Sequence, residues 1–207
     1  MGVAKWFRNI GRRDDRFDPT IAAGKIPSII IRELKPNDVD SCVDIYLKNE
    51  PGRFPEGYLE EFKRSIDSAS FLWLVVEDAD QIVGIGGICR DSQDATICHL
   101  SFGMIRPDRQ GEGLGSALLL ARLAALPEPQ PSARVFMSSV DGSTRFFTRF
   151  GFTFFGRAPM DWRPMEFDIY YTVLSKPAWS ACAAILSANK VIFAPTKVHV
   201  PGGPEQM

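Results

Sequence analysis

The sequence predicts an α/β (α+β) fold, and three observations carry that prediction. Runs of β-branched and aromatic residues recur along the chain between segments whose apolar residues fall at helical spacing. Two of these runs, "FLWLVVED" and "QIVGIGGICRD", are separated only by Ala79 and Asp80, the length of a hairpin turn. Another passes through a glycine-rich turn into the leucine- and alanine-rich stretch "GLGSALLLARLAAL". With 207 residues, 45% hydrophobic and 24% charged, the chain is sized for one domain with appended ends.

The elements follow in order. "SIIIREL" (28–34) is a strand, and Val39, Val43, Tyr46 and Leu47 mark a helix behind Pro36. "PGRF" breaks that helix and "PEGYLEEFKRSIDS" supplies a second, ahead of the hairpin. "ATICHLSFGMI" is a strand stopped at Pro107, because proline cannot donate to a central ladder. The glycine turn and its helix follow, ended by the prolines of "PEPQP" (127–131). "RVFMSSV" is a strand, "STRFFTRF" a short helix, "GFTFFGRA" a strand and "DIYYTVLS" the last strand, after a loop holding Asp161 and Glu166. This reading contains about seven strands and about four helices. Outside it, "AWSACAAIL" reads as one more helix and "VIFAPTKVHVPGGPEQM" as extended chain. Residues 1–27 carry Lys5, Arg8, Arg12, Arg13 and Arg16 beside Trp6, Phe7 and Ile10. This is either a basic amphipathic helix or a loosely held arm, and Asp14, Asp15 and Asp18 favour the arm by diluting the charge.

A net charge of −1 provides no global attraction for nucleic acid, so any polyanion must be held locally. Cys42, Cys89, Cys98 and Cys182 lie far apart without CxxC pairing, and His99 and His199 are the only histidines, so neither a disulfide frame nor a metal site is expected. No apolar run reaches the ~18 residues of a spanning helix, and the start has no signal-like core, which together read as a cytoplasmic protein.

Gly111, Gly113 and Gly115 sit where a helix should begin, although each glycine weakens a helix by up to about 1 kcal/mol relative to alanine. Between strand and helix, such a turn presents unpaired N–H groups at the positive end of the helix dipole, where phosphate oxygens can approach without meeting a Cβ. The alternative is a tight turn with no ligand. A dinucleotide fingerprint would need G-x-G-x-x-G and an acidic residue about 20 positions on. A Walker loop would need GK[ST]. Neither is present.

The stretch "IRPDRQGEGLGSALL" resembles the acyl-CoA binding motif of the GNAT superfamily of N-acyltransferases, with Ile105, Pro107, Gln110, Gly113 and Gly115 matching position by position. The order of elements is also similar to that superfamily's, over roughly residues 29–175. The resemblance implies a GNAT fold, with a mixed, mostly antiparallel sheet splayed at the motif strand. It divides the chain into an N-terminal arm (1–27), an acetyltransferase domain (28–175) and a C-terminal extension (176–207). The implied co-substrate is acetyl-CoA, with no metal. The implied partner is an amine acceptor, small molecule or peptide, with no nucleic acid and no membrane span; a homodimer is compatible. The coenzyme would contact Met104, Ile105, Arg109, Gln110, Gly111, Glu112, Gly113, Leu114, Gly115 and Ser116.

The family often carries a general base eleven residues before the motif's Gln/Arg, which here is His99. An imidazole can serve at neutral pH, while the alternative is a core histidine bonded to backbone. Strand alternation puts His99, Ser101 and Gly103 on one face and Cys98, Leu100 and Phe102 on the other, unless a bulge changes the phase. The family's acid tyrosine, four residues before the glycine of a "GF" pair, corresponds to Phe147, which has no proton to give. The departing thiolate would then be protonated by water, by a hydroxyl such as Ser143 or a tyrosine of "DIYY" (Tyr170, Tyr171), or in solution, and Val140 stands where the family often has asparagine. For the acceptor, the resemblance points to "NEPGRFPEGY" and "RAPMDWRPMEFD", where Asp161 and Glu166 would attract a cation and Phe54, Tyr58 and Trp162 would wall a pocket. These are equally ordinary loop charges and packing aromatics.

Overall fold

A computed structural model describes residues 16–50, 54, 57–91, 94, 96–129, 132–139, 143–160 and 163–193. Its centre is one eight-stranded sheet, in the order β6-β7-β5-β4-β3-β2-β1-β8. The strands are β1 (Ile30–Glu33), β2 (Leu72–Asp78), β3 (Gln81–Arg90), β4 (Ile97–Ile105), β5 (Ser132–Ser139), β6 (Thr153–Met160), β7 (Arg163–Ser175) and β8 (Ile192–Phe193). The helices are α1 (Val39–Asn49), α2 (Tyr58–Asp67), α3 (Leu114–Ala124), α4 (Thr144–Arg149) and α5 (Lys176–Ala188). Pairing is antiparallel except for β4 with β5 and β1 with β8, so the sheet is mixed and mostly antiparallel. The eighth strand and fifth helix both come from the segment after Ser175.

The two faces bury different helices. Leu72, Leu74 and Val76 of β2 point to the side of α3, whereas Trp73 and Val75 join Ile45, Tyr46 and Phe62 of α1 and α2. This is the period-2 alternation of a strand buried on both faces. α3 is apolar around most of its circumference because the sheet covers one side and α5 the other. The Trp179 indole of α5 donates to the Leu126 carbonyl at 2.9 Å.

Residues 16–27, expected within an arm, are packed. Phe17 is 2% exposed, stacks on Phe150 at 5.8 Å and donates its N–H to Val173 at 3.1 Å. Ala22 and Ile26 are also buried. Residues 1–15, with most of the basic cluster, lie outside the described residues. All four cysteines are free, and burial pushes the Cys42, Cys89 and Cys182 thiols up to about 12. Among the described residues no helix is long and apolar enough to cross a membrane, and no His/Cys/Asp/Glu group of metal-ligand size gathers.

Candidate functional site

β4 pairs with β5 only from Ile97 to Leu100, opposite Arg134 to Met137, yet β4 runs on to Ile105 and β5 to Ser139. From Ser101 onward the two parallel strands part. The cause lies in β4, where Phe102 and Gly103 together oppose the single residue Gly86 of β3. Such a bulge bends the strand and breaks its pairing. Phe102 takes a left-handed φ of 44°, an uncommon conformation for an aromatic residue. The bulge also reverses the strand's phase: Phe102 packs with Tyr58, Phe62 and Trp73, while the Cβ direction of Gly103 faces Arg122 of α3. Uninterrupted alternation would have placed these two residues the other way round.

Above the fork stands the glycine turn. The N–H groups of Arg109 and Gln110 are engaged by Arg106 and Pro107 carbonyls at 2.9 and 3.4 Å. Those from Gly111 to Ser116 meet no acceptor among the described residues and gather at the positive end of α3. The Gln110 amide donates to the Asn49 side chain at 3.1 Å and to the Ile105 carbonyl at 3.0 Å, and Asn49 donates to the same carbonyl at 3.1 Å. The turn, the end of α1 and the end of β4 are thereby locked together. Two of the glycines serve different needs. At Gly113 (φ 86°) a Cβ would fall on the Lys25 carbonyl oxygen, so the bare backbone admits the N-terminal segment. At Gly111 (φ 88°) a Cβ would meet nothing within 4 Å among the described residues.

Fork and turn enclose a cleft of about 470 Å³. Of the residues marked in the sequence for coenzyme contact, Met104, Ile105, Gln110, Gly111, Gly113, Gly115 and Ser116 line it. Arg109, Glu112 and Leu114 are not among its described lining residues. The Arg109 guanidinium is bound by Glu112 at 2.9 Å and Asp78 at 2.7 Å, and Leu114 is buried in the core. The described lining includes Lys25, Arg122 and Arg149 and no acidic residue, a balance that suits a polyanion.

The candidate catalytic residues separate. Ser143 and Phe147 line the cleft, with the Ser143 hydroxyl 2.8 Å from that of Ser139. Tyr170 lies in the core and packs edge-on against Phe154 at 5.6 Å. His99 is on the paired part of β4, opposite Cys89 and Phe136, with Nε2 3.5 Å from an Asp91 carboxylate oxygen. Burial holds its pKa below the ordinary 6.5, against the opposing pull of Asp91. Cys98 and Leu100 point toward α3, so His99 faces the other side of the sheet. Tyr46, Phe54, Tyr58, Phe62 and Phe102 stack on that side, and Phe54 reaches the cleft. Asp161 and Trp162, together with the Glu166 side chain, lie outside what the structure describes.

Sequence reading passed over Lys25, Asn49, Phe146, Arg149 and Arg122, all of which line the cleft. An arginine inside the run "LLLARLAAL" was the one available signal.

Residues 43–161 match the family model for the acetyltransferase (GNAT) domain. No curated protein sequence matches the chain. Several solved structures share its fold. A GNAT-family acetyltransferase from Staphylococcus aureus Mu50 has a TM-score of 0.56 at 18% identity, covering 70% of this chain and 98% of its own. An aminoglycoside 6'-N-acetyltransferase complexed with coenzyme A has a TM-score of 0.54 at 12% identity, covering 69% and 96%. The PaiA N-acetyltransferase of Thermoplasma acidophilum, also in complex with coenzyme A, has a TM-score of 0.52 at 16% identity, covering 70% and 99%.

Proposed function

Because the chain belongs to the acetyltransferase (GNAT) family, we propose that it transfers an acetyl group from acetyl-CoA to a primary amine by direct attack within a ternary complex, with the cleft between β4 and β5 as its donor site. The observation that carries this reading is the meeting, in one cleft, of a free strand edge with unengaged N–H groups at the head of α3. The diphosphate takes the N–H groups from Gly111 to Ser116, with Lys25 and Arg149 adding positive charge. The pantetheine amides pair with the open edge of β4 at Met104 and Ile105. The N–H groups beyond the bulge face the thioester carbonyl oxygen, which gains charge as the amine attacks.

Attack forms the N–C bond and breaks the C–S bond, without a covalent enzyme intermediate. Bound geometry supplies much of the rate by replacing a bimolecular encounter. The amine approaches from the aromatic face, where His99, kept neutral by burial, takes a proton through water. Of the hydroxyls that could return a proton to sulfur, Ser143 is at the cleft and Tyr170 is not.

A second reading, acyl-CoA binding without turnover, draws on Phe147, which lines the cleft and cannot act as an acid. Thiol release from acetyl-CoA against a panel of small amines, aminoglycosides, peptide N-termini and lysine peptides separates the two. Release with at least one amine class is expected. Tight binding of acetyl-CoA with no release on any of them would establish the second reading.

A further inference from the structure

Arg122 is a charge without a counter-charge among the described residues. It sits on α3 within a leucine-rich run and is 2% exposed. Among the described residues its Nη1 makes one long contact, 3.5 Å to the Gly87 carbonyl, and its Nε has no hydrogen-bond partner. No carboxylate among the described residues lies within ion-pair distance of it. Burying an uncompensated guanidinium costs several kcal/mol, and a leucine would fill the same place without that cost. The sheet is nonetheless shaped around it. A Cβ on Gly86 would come within 3.1 Å of the Arg122 side chain, and one on Gly103 within 2.8 Å of Nη2. Two strands therefore carry glycine where this head group lies. Arg122 is among the residues that line the cleft, with Gly103 of the bulge and with Gly115, Ser116 and Leu118.

We propose that Arg122 is a catalytic residue that receives the coenzyme's sulfur as it departs, holding the thiolate by charge in place of a proton donor. This rests on the donor-site reading above. Coenzyme laid along α3 from the glycine turn has its diphosphate at the helix head, and its sulfur reaches the bulge, where Gly103 meets Nη2. When the C–S bond breaks, its electron pair stays on sulfur. The positive charge of Arg122 compensates it, and the proton shed by the amine leaves through His99 and solvent. Sulfur is reprotonated by water on release. Phe146 and Phe147, which pack edge-on at 4.9 Å and line the cleft, restrict water there and strengthen the attraction. The proposal explains together why an acid can be missing at position 147 and why a cation is buried at position 122.

The test uses coenzyme A and desulfo-coenzyme A with the full chain and needs no acceptor. An ordinary thiol titrates near pH ~8.5. Thiolate absorbance of the bound coenzyme is followed against pH, with affinities measured in parallel by calorimetry. The other titratable groups among the described lining residues are Lys25 and Arg149, both basic, and both coenzymes meet them equally. A bound thiol shifted down by at least about one unit is expected, with a matching ten-fold gain at high pH for coenzyme A over its desulfo analogue. Arg122→Met should abolish the shift and Arg122→Lys should keep part of it. A bound thiol titrating at its free value in the unmodified protein overturns the proposal, as does a shift that survives in Arg122→Met. A stronger hold on succinyl-CoA than on acetyl-CoA, with no thiol shift, overturns it by assigning the charge to the acyl group. Failure of both coenzymes to bind overturns the donor-site reading itself, and this inference with it.

Discussion

His99 and the two left-handed glycines of the turn, Gly111 and Gly113, are the residues at which local chemistry can be read most directly. Burial disfavours the imidazolium of His99 more than Asp91 favours it, so the folded chain binds this proton less readily than the unfolded chain. The group's contribution to stability is therefore fully present above the ordinary value of 6.5 and is lost as pH falls through the lower, folded value. Because the chain has only two histidines, NMR titration resolves it. A midpoint below 6.5 is expected for His99, with a further fall in Asp91→Asn, which removes an attraction for the charged form. A midpoint above 6.5 would place the base in a different environment. For the glycines, Gly111→Ala meets only the strain of a positive φ and should cost about 1–2 kcal/mol in denaturant unfolding. Gly113→Ala adds a collision with the Lys25 carbonyl and should cost clearly more. Equal losses in the two variants would refute the assignment of Gly113 to chain packing.

At the level of elements, the cleft depends on α1 and β4 ending together. Asn49 is buried at the last position of α1 and joins the Ile105 carbonyl to Gln110, so a helix end, a strand end and the glycine turn share one hydrogen-bonded knot. Asn49→Ala leaves buried polar groups unpaired and should lower stability by about 1–3 kcal/mol. It should also weaken coenzyme A binding, because Gln110 begins the turn. Calorimetry with an unchanged affinity would show that the turn keeps its shape without α1. The bulge of β4 has comparable reach: one inserted residue opens the fork, exposes the strand edge and moves Phe102 to the aromatic side.

For the whole molecule, the chain's two ends complete the core. Phe17 packs with Phe150 and Phe152, and Lys25 closes over Gly113 and lines the cleft. At the other end, α5 covers α3 with Trp179, Cys182 and Leu186, and β8 adds to the β1 edge. Phe17→Ala should cost about 3–5 kcal/mol. A chain ended at Ser175 uncovers the outer side of α3 and should lose cooperative unfolding, as monitored by circular dichroism against denaturant. Retention of the full transition would show the sheet and α3 to be self-sufficient.

The strand and helix order was legible in the sequence because it depends on local periodicity and on breakers such as Pro107 and the "PEPQP" loop. The glycine turn was legible because an anion-accepting helix head needs bare backbone within a few residues of chain. What could not be read locally was the meeting of distant segments. The glycines at 86 and 103 make room for an arginine at 122, the one at 113 admits the carbonyl of residue 25, and a one-residue bulge decides which side of the sheet Phe102 occupies. Sequence alone determined the class of fold and the place of the turn, since both follow from neighbours along the chain. Tertiary structure alone decided which charges face the cleft and which are engaged elsewhere: Arg109 is held by two carboxylates, while Arg122 is buried with none among the described residues. The physical reason is that a charge's role depends on what surrounds it in space, and here those surroundings come from parts of the chain far apart in sequence.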